Sequence, residues 1–164
     1  MRESAPHLYE SFSLWGSGVC LVSVREHDHD RFFVAGSVLT ASVDPFTVAV
    51  SVGADRDALA SMRRGAPWAL SILGAAHVDL VRTLTTGTRE ERLAALAQEG
   101  AEASPEGPLW LPDALVTLWC ETRATLPVHD QEIVVGDVVR GSLHTDTDPL
   151  LRWNRDFRTI TDLR

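Results

Sequence analysis

Few side chains in this sequence are well suited to bind a metal or attack a substrate. His27, Asp28, His29 and Asp30 interleave imidazoles with carboxylates, a pattern that can chelate a divalent cation. Its place between two apolar runs reads instead as a solvated hairpin, so no metal is expected there. His77 sits beside apolar residues on a probable helical stretch and reads as structural. Cys20 and Cys120 lie in apolar runs, without a CxxC or Cys/His spacing. Neither a zinc site nor a disulfide framework follows, and thiols buried in such runs are usually inert. No hydrolase constellation is present. All fifteen basic residues are arginine, which excludes Schiff-base chemistry, a phosphate-binding loop built on lysine, and a lysine general base.

The elements that must position any remaining chemistry are mostly strands. Val19 to Arg25 and Phe32 to Ala35 read as a hairpin. From Phe46 to Val52 the residues alternate strictly, with Phe46, Val48, Val50 and Val52 on one face and Thr47, Ala49 and Ser51 on the other. A two-turn helix is expected in "RDALASMRRG", closed by Gly65, followed by a strand over Trp68 to Leu73. Two helices follow at Ala75 to Leu84 and Arg89 to Gln98, the second opened by a Thr88/Glu91 capping box and stopped by Gly100. The proline-rich segment from Ala101 to Pro112 reads as a connecting loop within the domain. Leu115 to Thr125 and Ile133 to Ser142 are long β-type runs. The second has Ile133 and Val135 assigned to the inner face, and Val134 and Val138 to an outer face that a second subunit should cover. The five tryptophans read as core or interface packing.

With 164 residues and 45% hydrophobic content, one domain over 1–164 is the default. The fold class expected is mainly β with inserted helices. A net charge of -8 argues against general nucleic-acid affinity. The N-terminal third shows neither a signal peptide nor a membrane span, and the cysteine usage fits the cytoplasm.

Five stretches carry a family resemblance: "GSGVCLVSV" (16–24), "FVAGSVLTASVDPFTVAVSV" (33–52), "APWALSIL" (66–73), "VHDQEIVVGDV" (128–138) and "PLLRWNRDFRTI" (149–160). In order and spacing, the chain resembles the flavin reductase-like family over roughly residues 8 to 160. The resemblance implies an antiparallel split β-barrel that forms a homodimer, with flavin in a groove at the interface. It implies reduction of FMN or FAD by NADH or NADPH, the reduced flavin passing to a partner such as a flavin-dependent monooxygenase.

Carried over by residue, the turn of Val34, Ala35, Gly36, Ser37 and Val38 lies along the isoalloxazine ring, where Gly36 permits close backbone approach. Thr40, Ala41 and Ser42 border the ribityl chain. Ser51 and the start of the following helix match the phosphate region, with Arg56 and Arg82 as counter-ions. Here the chain departs from the family's Arg-Thr: Asp57 follows Arg56, and a carboxylate about 4 Å from a phosphate costs on the order of 4 kcal/mol per charge pair at an effective dielectric near 20. Either Asp57 points away or phosphate binding is weak; as a simple helix N-cap, its carboxylate would satisfy the same N–H groups that a phosphate would use. The family's Gly-Asp-His is replaced by His129, Asp130 and Gln131, so His129 and Gln131 are the candidates on the nicotinamide side. These departures keep open an alternative: a flavin-binding or degenerate split-barrel accessory protein without reductase activity.

Overall fold

The computed structural model describes residues 5–144 and 147–160. A short helix α1 (Ala5–Ser11) and a 3-10 turn lead into β1 (Ser17–Gly18), β2 (Cys20–Glu26), β3 (His29–Ala35), β4 (Val38–Val43) and β5 (Phe46–Gly53). Helix α2 (Asp57–Arg63) and strand β6 (Trp68–Ile72) follow, then α3 (Val78–Thr86) and α4 (Arg89–Gln98). The remainder is β7 (Glu102–Ala103), β8 (Leu109–Trp110), the long pair β9 (Val116–Val128) and β10 (Gln131–Leu143), and the small strands β11 (Leu151–Trp153) and β12 (Asp156–Arg158).

Seven strands form one antiparallel sheet in the order β3-β2-β6-β9-β10-β5-β4. The protein is mainly β, with its helices inserted between strands. Among the described residues, no helix is long and apolar enough to cross a membrane.

The sheet packs apolar residues on both faces, and β2 shows why. Cys20, Val22 and Val24 point to a first core with Phe33, Val50, Trp68 and Val134, closed by Leu59 and Met62 of α2. Val19 and Leu21 point to a second core beneath α3 and α4, with Leu80, Val81, Leu84 and Leu96. A strand buried on both faces needs a continuous apolar run, as the sequence of β2 has.

Local signals place the helices. Gly65 takes φ +84 at the end of α2 and Gly100 takes φ +77 after α4, a left-handed backbone that glycine adopts without strain. Thr88 and Glu91 form the capping box of α4, with the Thr88 amide 2.7 Å from Glu91 Oε2. The second expected helix begins later than expected: a 3-10 turn occupies Ala75–His77 and α3 starts at Val78.

One expectation is corrected here. The phase of β10 is reversed: Val134 is fully buried in the first core, Glu132 and Gly136 share its face, and Ile133 and Val135 are half-buried on the other. Gly136 sets this phase, because a side chain there would overlap the ring of Trp68. Val138 also packs against the first core, so it is not outward either. The tryptophans, expected in core or interface packing, divide between core and surface. Trp68 and Trp119 are buried, but Trp15 is 72% exposed and Trp153 44% exposed.

Candidate functional site

A groove of about 770 Å³ opens where the N-terminal segment crosses the sheet. One wall is Phe12, Trp15 and the Gly16–Gly18 stretch; another is the link between β3 and β4, where Gly36, Ser37 and Val38 lie. Cys20 of β2, Leu39 of β4, Ala49, Val50 and Ser51 of β5, Ile72 of β6 and Ile133 of β10 complete the lining. In β5, Val48 and Val52 enter the core, while Ala49 and Ser51, with an edge of the core residue Val50, border the groove. Gly36 packs close to the N-terminal segment, since an added Cβ would stand 3.1 Å from Ser17 Oγ. The Ser51 amide donates to the Ser37 carbonyl at 3.0 Å, tying β5 to this turn. The groove thus has apolar walls and a rim of Ser17, Ser37 and Ser51 hydroxyls, which suits a flat apolar ring with polar edges.

Beyond Ser51 the lining becomes polar. The Ser51 hydroxyl donates to Gln131 Oε1 at 3.3 Å, which brings together two candidates distant in sequence. His129 occupies the exposed tip of the β9–β10 hairpin at φ +53, and the Ala54 amide donates to the Asp130 carbonyl at 2.9 Å. This bond holds the hairpin tip against the loop that enters α2. Arg56 immediately precedes α2 with its guanidinium 5.8 Å from the centre of the Phe33 ring. Asp57 is the first residue of α2, not its N-cap, and makes no capping bond; its carboxylate turns to Arg31 at 3.7 Å.

Several other candidates stand apart from the groove. Val34 packs under the helices and Ala35 lies in the first core. Thr40, Ala41 and Ser42 run along the edge strand β4, where Thr40 and Ala41 are exposed and the register shifts between Thr40 and Ser42. Arg82 is paired with Asp79 at 2.9 Å on its own helix and leans over Phe157, so it reaches neither the groove nor Arg56. The aspartate three residues earlier and the aromatic ring account for that orientation. Missing from the sequence reading are Phe12, Trp15, Ile72 and the partners of Arg56. Only the quoted "GSG" pointed to this wall.

Two close charge pairs lie at the C-terminal end of α2. Arg63 closes on Glu132 with two nitrogens, and Arg64 does the same to Glu26 at 2.6 Å. Arg64, aided by Ser61, holds the Glu26 carboxyl down at about 2, and Arg63 holds Glu132 below the usual carboxylate range. Burial pushes the Cys20 and Cys120 thiols up to about 12, so neither is a ready nucleophile. His77 accepts from the Gly74 amide through Nδ1, which leaves the proton on Nε2, 3.1 Å from Asp113. Both ring nitrogens are thereby used, and the nearby Glu99 and Asp113 gain no free imidazole ligand.

Residues 12–161 match the flavin reductase like domain family. The chain is 26% identical over 155 residues to an NADH-dependent FMN reductase of Streptomyces nodosus subsp. asukaensis, covering 93% of this chain and 83% of that protein. It is 30% identical over 151 residues to the reductase component of the 4-hydroxyphenylacetate 3-monooxygenase of Thermus thermophilus, covering 92% of this chain and 93% of that protein. Among solved structures it resembles the NADH:FAD oxidoreductase of Streptomyces globisporus C-1027 in complex with NAD and FAD fragments. There the TM-score is 0.85 at 20% identity, over 98% of each chain.

Proposed function

The chain belongs to the flavin reductase-like family, and on that premise we propose that it reduces FMN or FAD with NADH or NADPH and supplies the product to a flavin-dependent monooxygenase. The observation that carries this is the groove: an apolar slot of flavin size whose rim is Gly36, Ser37 and Ser51. The residues fit the ligand. Trp15, Val38, Ile72 and Ile133 offer apolar surface to the ring, while Ser17, Ser37 and Ser51 offer hydroxyls to its polar edge. When bound, flavin supplies the acceptor for hydride from the nicotinamide.

The chain's own part is placement. Gly36 allows the backbone of the β3–β4 link to meet the ring edge, and Val38 at the start of β4 lies beside it. Gln131 orients the Ser51 hydroxyl and keeps its amide nitrogen for a ligand, since among the described residues that nitrogen has no hydrogen-bond partner. His129, exposed two residues away, is the group available to the nicotinamide. Arg56 takes the phosphate side, and Asp57 does not oppose it because Arg31 draws its carboxylate away.

This reading makes the domain a split barrel over 1–164 that acts as a homodimer in the cytoplasm. The half-buried Ile133 and Val135, with exposed Leu39, Val43 and Leu126 nearby in the sheet, form the apolar surface for a second copy. Sedimentation should give a dimer without added flavin, and Val135→Glu should dissociate it. Wild-type protein sedimenting at the mass of one chain would remove the homodimer.

Activity is tested by mixing the purified protein with FMN or FAD and NADH or NADPH and following loss of the reduced-nicotinamide absorbance. Turnover is expected. Flavin binding without turnover would instead favour an accessory protein, a possibility raised by Gln131 standing where a histidine is usual.

A further inference from the structure

The N-terminal segment that walls the groove takes no part in either core. From His7 to Trp15 no side chain is buried and only Ser13 is half-buried, although Leu8, Tyr9, Phe12, Leu14 and Trp15 are all large and apolar. So much contiguous exposed apolar surface is not needed to hold the fold together and marks a surface that something else covers. Phe12 and Trp15 stack on each other, with ring centres 6.3 Å apart and planes 20° from parallel. Both rings line the groove, and both also line a second cavity of about 450 Å³ that reaches Tyr9, Glu10, Arg152 and Arg155. The pair is therefore a thin partition between two spaces, not a packed wall.

One hairpin holds this partition in place. Among the described residues, every hydrogen bond or ion pair between residues 7–15 and the rest of the chain comes from Trp153, Asn154 or Arg155. The Trp153 indole donates to the Leu14 carbonyl at 3.1 Å, the Asn154 amide donates to the Ser13 carbonyl at 2.8 Å, and Arg155 Nη2 lies 2.9 Å from Glu10 Oε1. Asn154 and Arg155 are the two central residues of the β11–β12 turn, at φ +49 and φ +64. In a turn of this left-handed type the second position usually belongs to glycine, and an arginine there is strained. What the arginine adds is a side chain long enough to meet Glu10. The ties fall on Glu10, Ser13 and Leu14, which leaves the rings of Phe12 and Trp15 for the groove.

We propose that residues 7–15 are a strap over the groove, and that Trp153 and Arg155 are positioning residues whose hold on the strap sets how fast flavin leaves. The proposal rests on the flavin reading of the groove. A flat ring in the groove covers the exposed faces of Phe12 and Trp15 only while the strap is down, so the ring leaves by lifting the strap or by sliding past two aromatic side chains. Linkage runs both ways: flavin that keeps the strap down is itself kept by it. The ties suit a strap that opens. Glu10 and Arg155 are each more than half exposed, and an exposed ion pair holds loosely and is screened by salt. A groove closed in this way retains flavin through reduction and still releases it to another protein.

The test is release of FMN from the loaded full-length protein, followed by recovery of flavin fluorescence on rapid dilution, in wild type, Arg155→Gly, Trp153→Phe and the charge swap of Glu10→Arg with Arg155→Glu. Glycine suits the left-handed turn, so Arg155→Gly keeps the hairpin and removes only the tie; its melting temperature should not fall. Release should nevertheless be about threefold faster in Arg155→Gly, and similarly faster in Trp153→Phe, which keeps an aromatic ring and loses the indole donor. The charge swap should bring release back toward the wild-type rate. Added salt should speed release from the wild type more than from Arg155→Gly. A role confined to folding would move the melting temperatures and leave the release rates alone. Wild-type release rates in both single variants, with FMN still bound, would overturn the strap and leave the groove reading intact. So would acceleration seen only in Trp15→Ala, because the wall would then act without its clamp. Failure of the wild type to bind FMN would overturn the groove reading itself, and the strap with it.

Discussion

The two ends of α2 treat arginine in opposite ways. At the C-terminal end Arg63 and Arg64 each close on a carboxylate from another strand, Glu132 of β10 and Glu26 of β2. At the N-terminal end Arg56 stands among Arg31, Arg89 and Arg92, and the one carboxylate lining the cleft between them, Asp57, turns to Arg31. The paired end holds both acids below their usual range, and its donors are spent on the fold. Guanidiniums at the other end keep donors that only a ligand or water can use. Partners, rather than arginine content, distinguish a structural charge from a binding one.

The hardest way to break the comparison is to put a carboxylate where no arginine can reach it. Glu132 and Val134 lie two residues apart on the same face of β10, and both are almost wholly buried. Glu132 is tolerated because Arg63 meets it; Val134 sits in an entirely apolar cluster. Val134→Glu should therefore cost about 4 kcal/mol or more, enough to unfold a marginal domain. Denaturant unfolding measures this, and a soluble variant of near wild-type stability would show that β10 has the opposite phase.

A smaller loss should follow from opening the paired end itself. Arg63→Met leaves the Glu132 carboxylate buried with only the lesser support of Thr125. In the wild type the folded state lowers the Glu132 pKa, so the pair contributes above the unfolded value of about 4.3 and is lost as pH falls through the folded one. Without Arg63, burial favours the protonated acid, so the variant should lose most at pH 7 and approach the wild type below about pH 4. Melting temperatures across that range should converge on acidification. A gap of constant size would mean that the pair does not carry the difference.

What the sequence made legible was local. The alternation of β5, the Thr88 and Glu91 cap and the stop at Gly65 are each fixed by neighbouring residues, and each appears where expected. The sense of β10 was hidden because Ile133, Val134, Val135 and Val138 are apolar on both faces. Its decision lies with the Trp68 ring against Gly136, a contact between distant strands. In the groove, Gly36, Ser37, Val38 and Ser51 could be placed from their types, but Trp15 was read only as core or interface packing and lines the groove, mostly exposed. Arg82 was named as a counter-ion, but Asp79, one helical turn earlier, occupies it; Arg89 and Arg92 were not considered. Only the folded chain brings positions 31, 56, 89 and 92 together.

The smallest effect, and the one that sharpens the comparison most, concerns an arginine with no acid to lose. Arg89 is exposed, and among the described residues no ion pair restrains it. Removing it from ligand-free protein deletes a repulsion with Arg31, Arg56 and Arg92 and no attraction of similar strength. Arg89→Ala should thus be neutral or slightly stabilising, within about 0.5 kcal/mol of the wild type. The sign should depend on salt: as ionic strength rises, screening weakens the repulsion in the wild type and the two proteins should draw together. Arg63→Met, at the C-terminal end of α2, offers the opposite case, a loss of stability on removing one guanidinium. Paired denaturant melts of the two variants at low and high salt measure both. If Arg89→Ala proved as damaging as Arg63→Met, Arg89 would have a structural partner, and the two ends of α2 would differ in geometry but not in role.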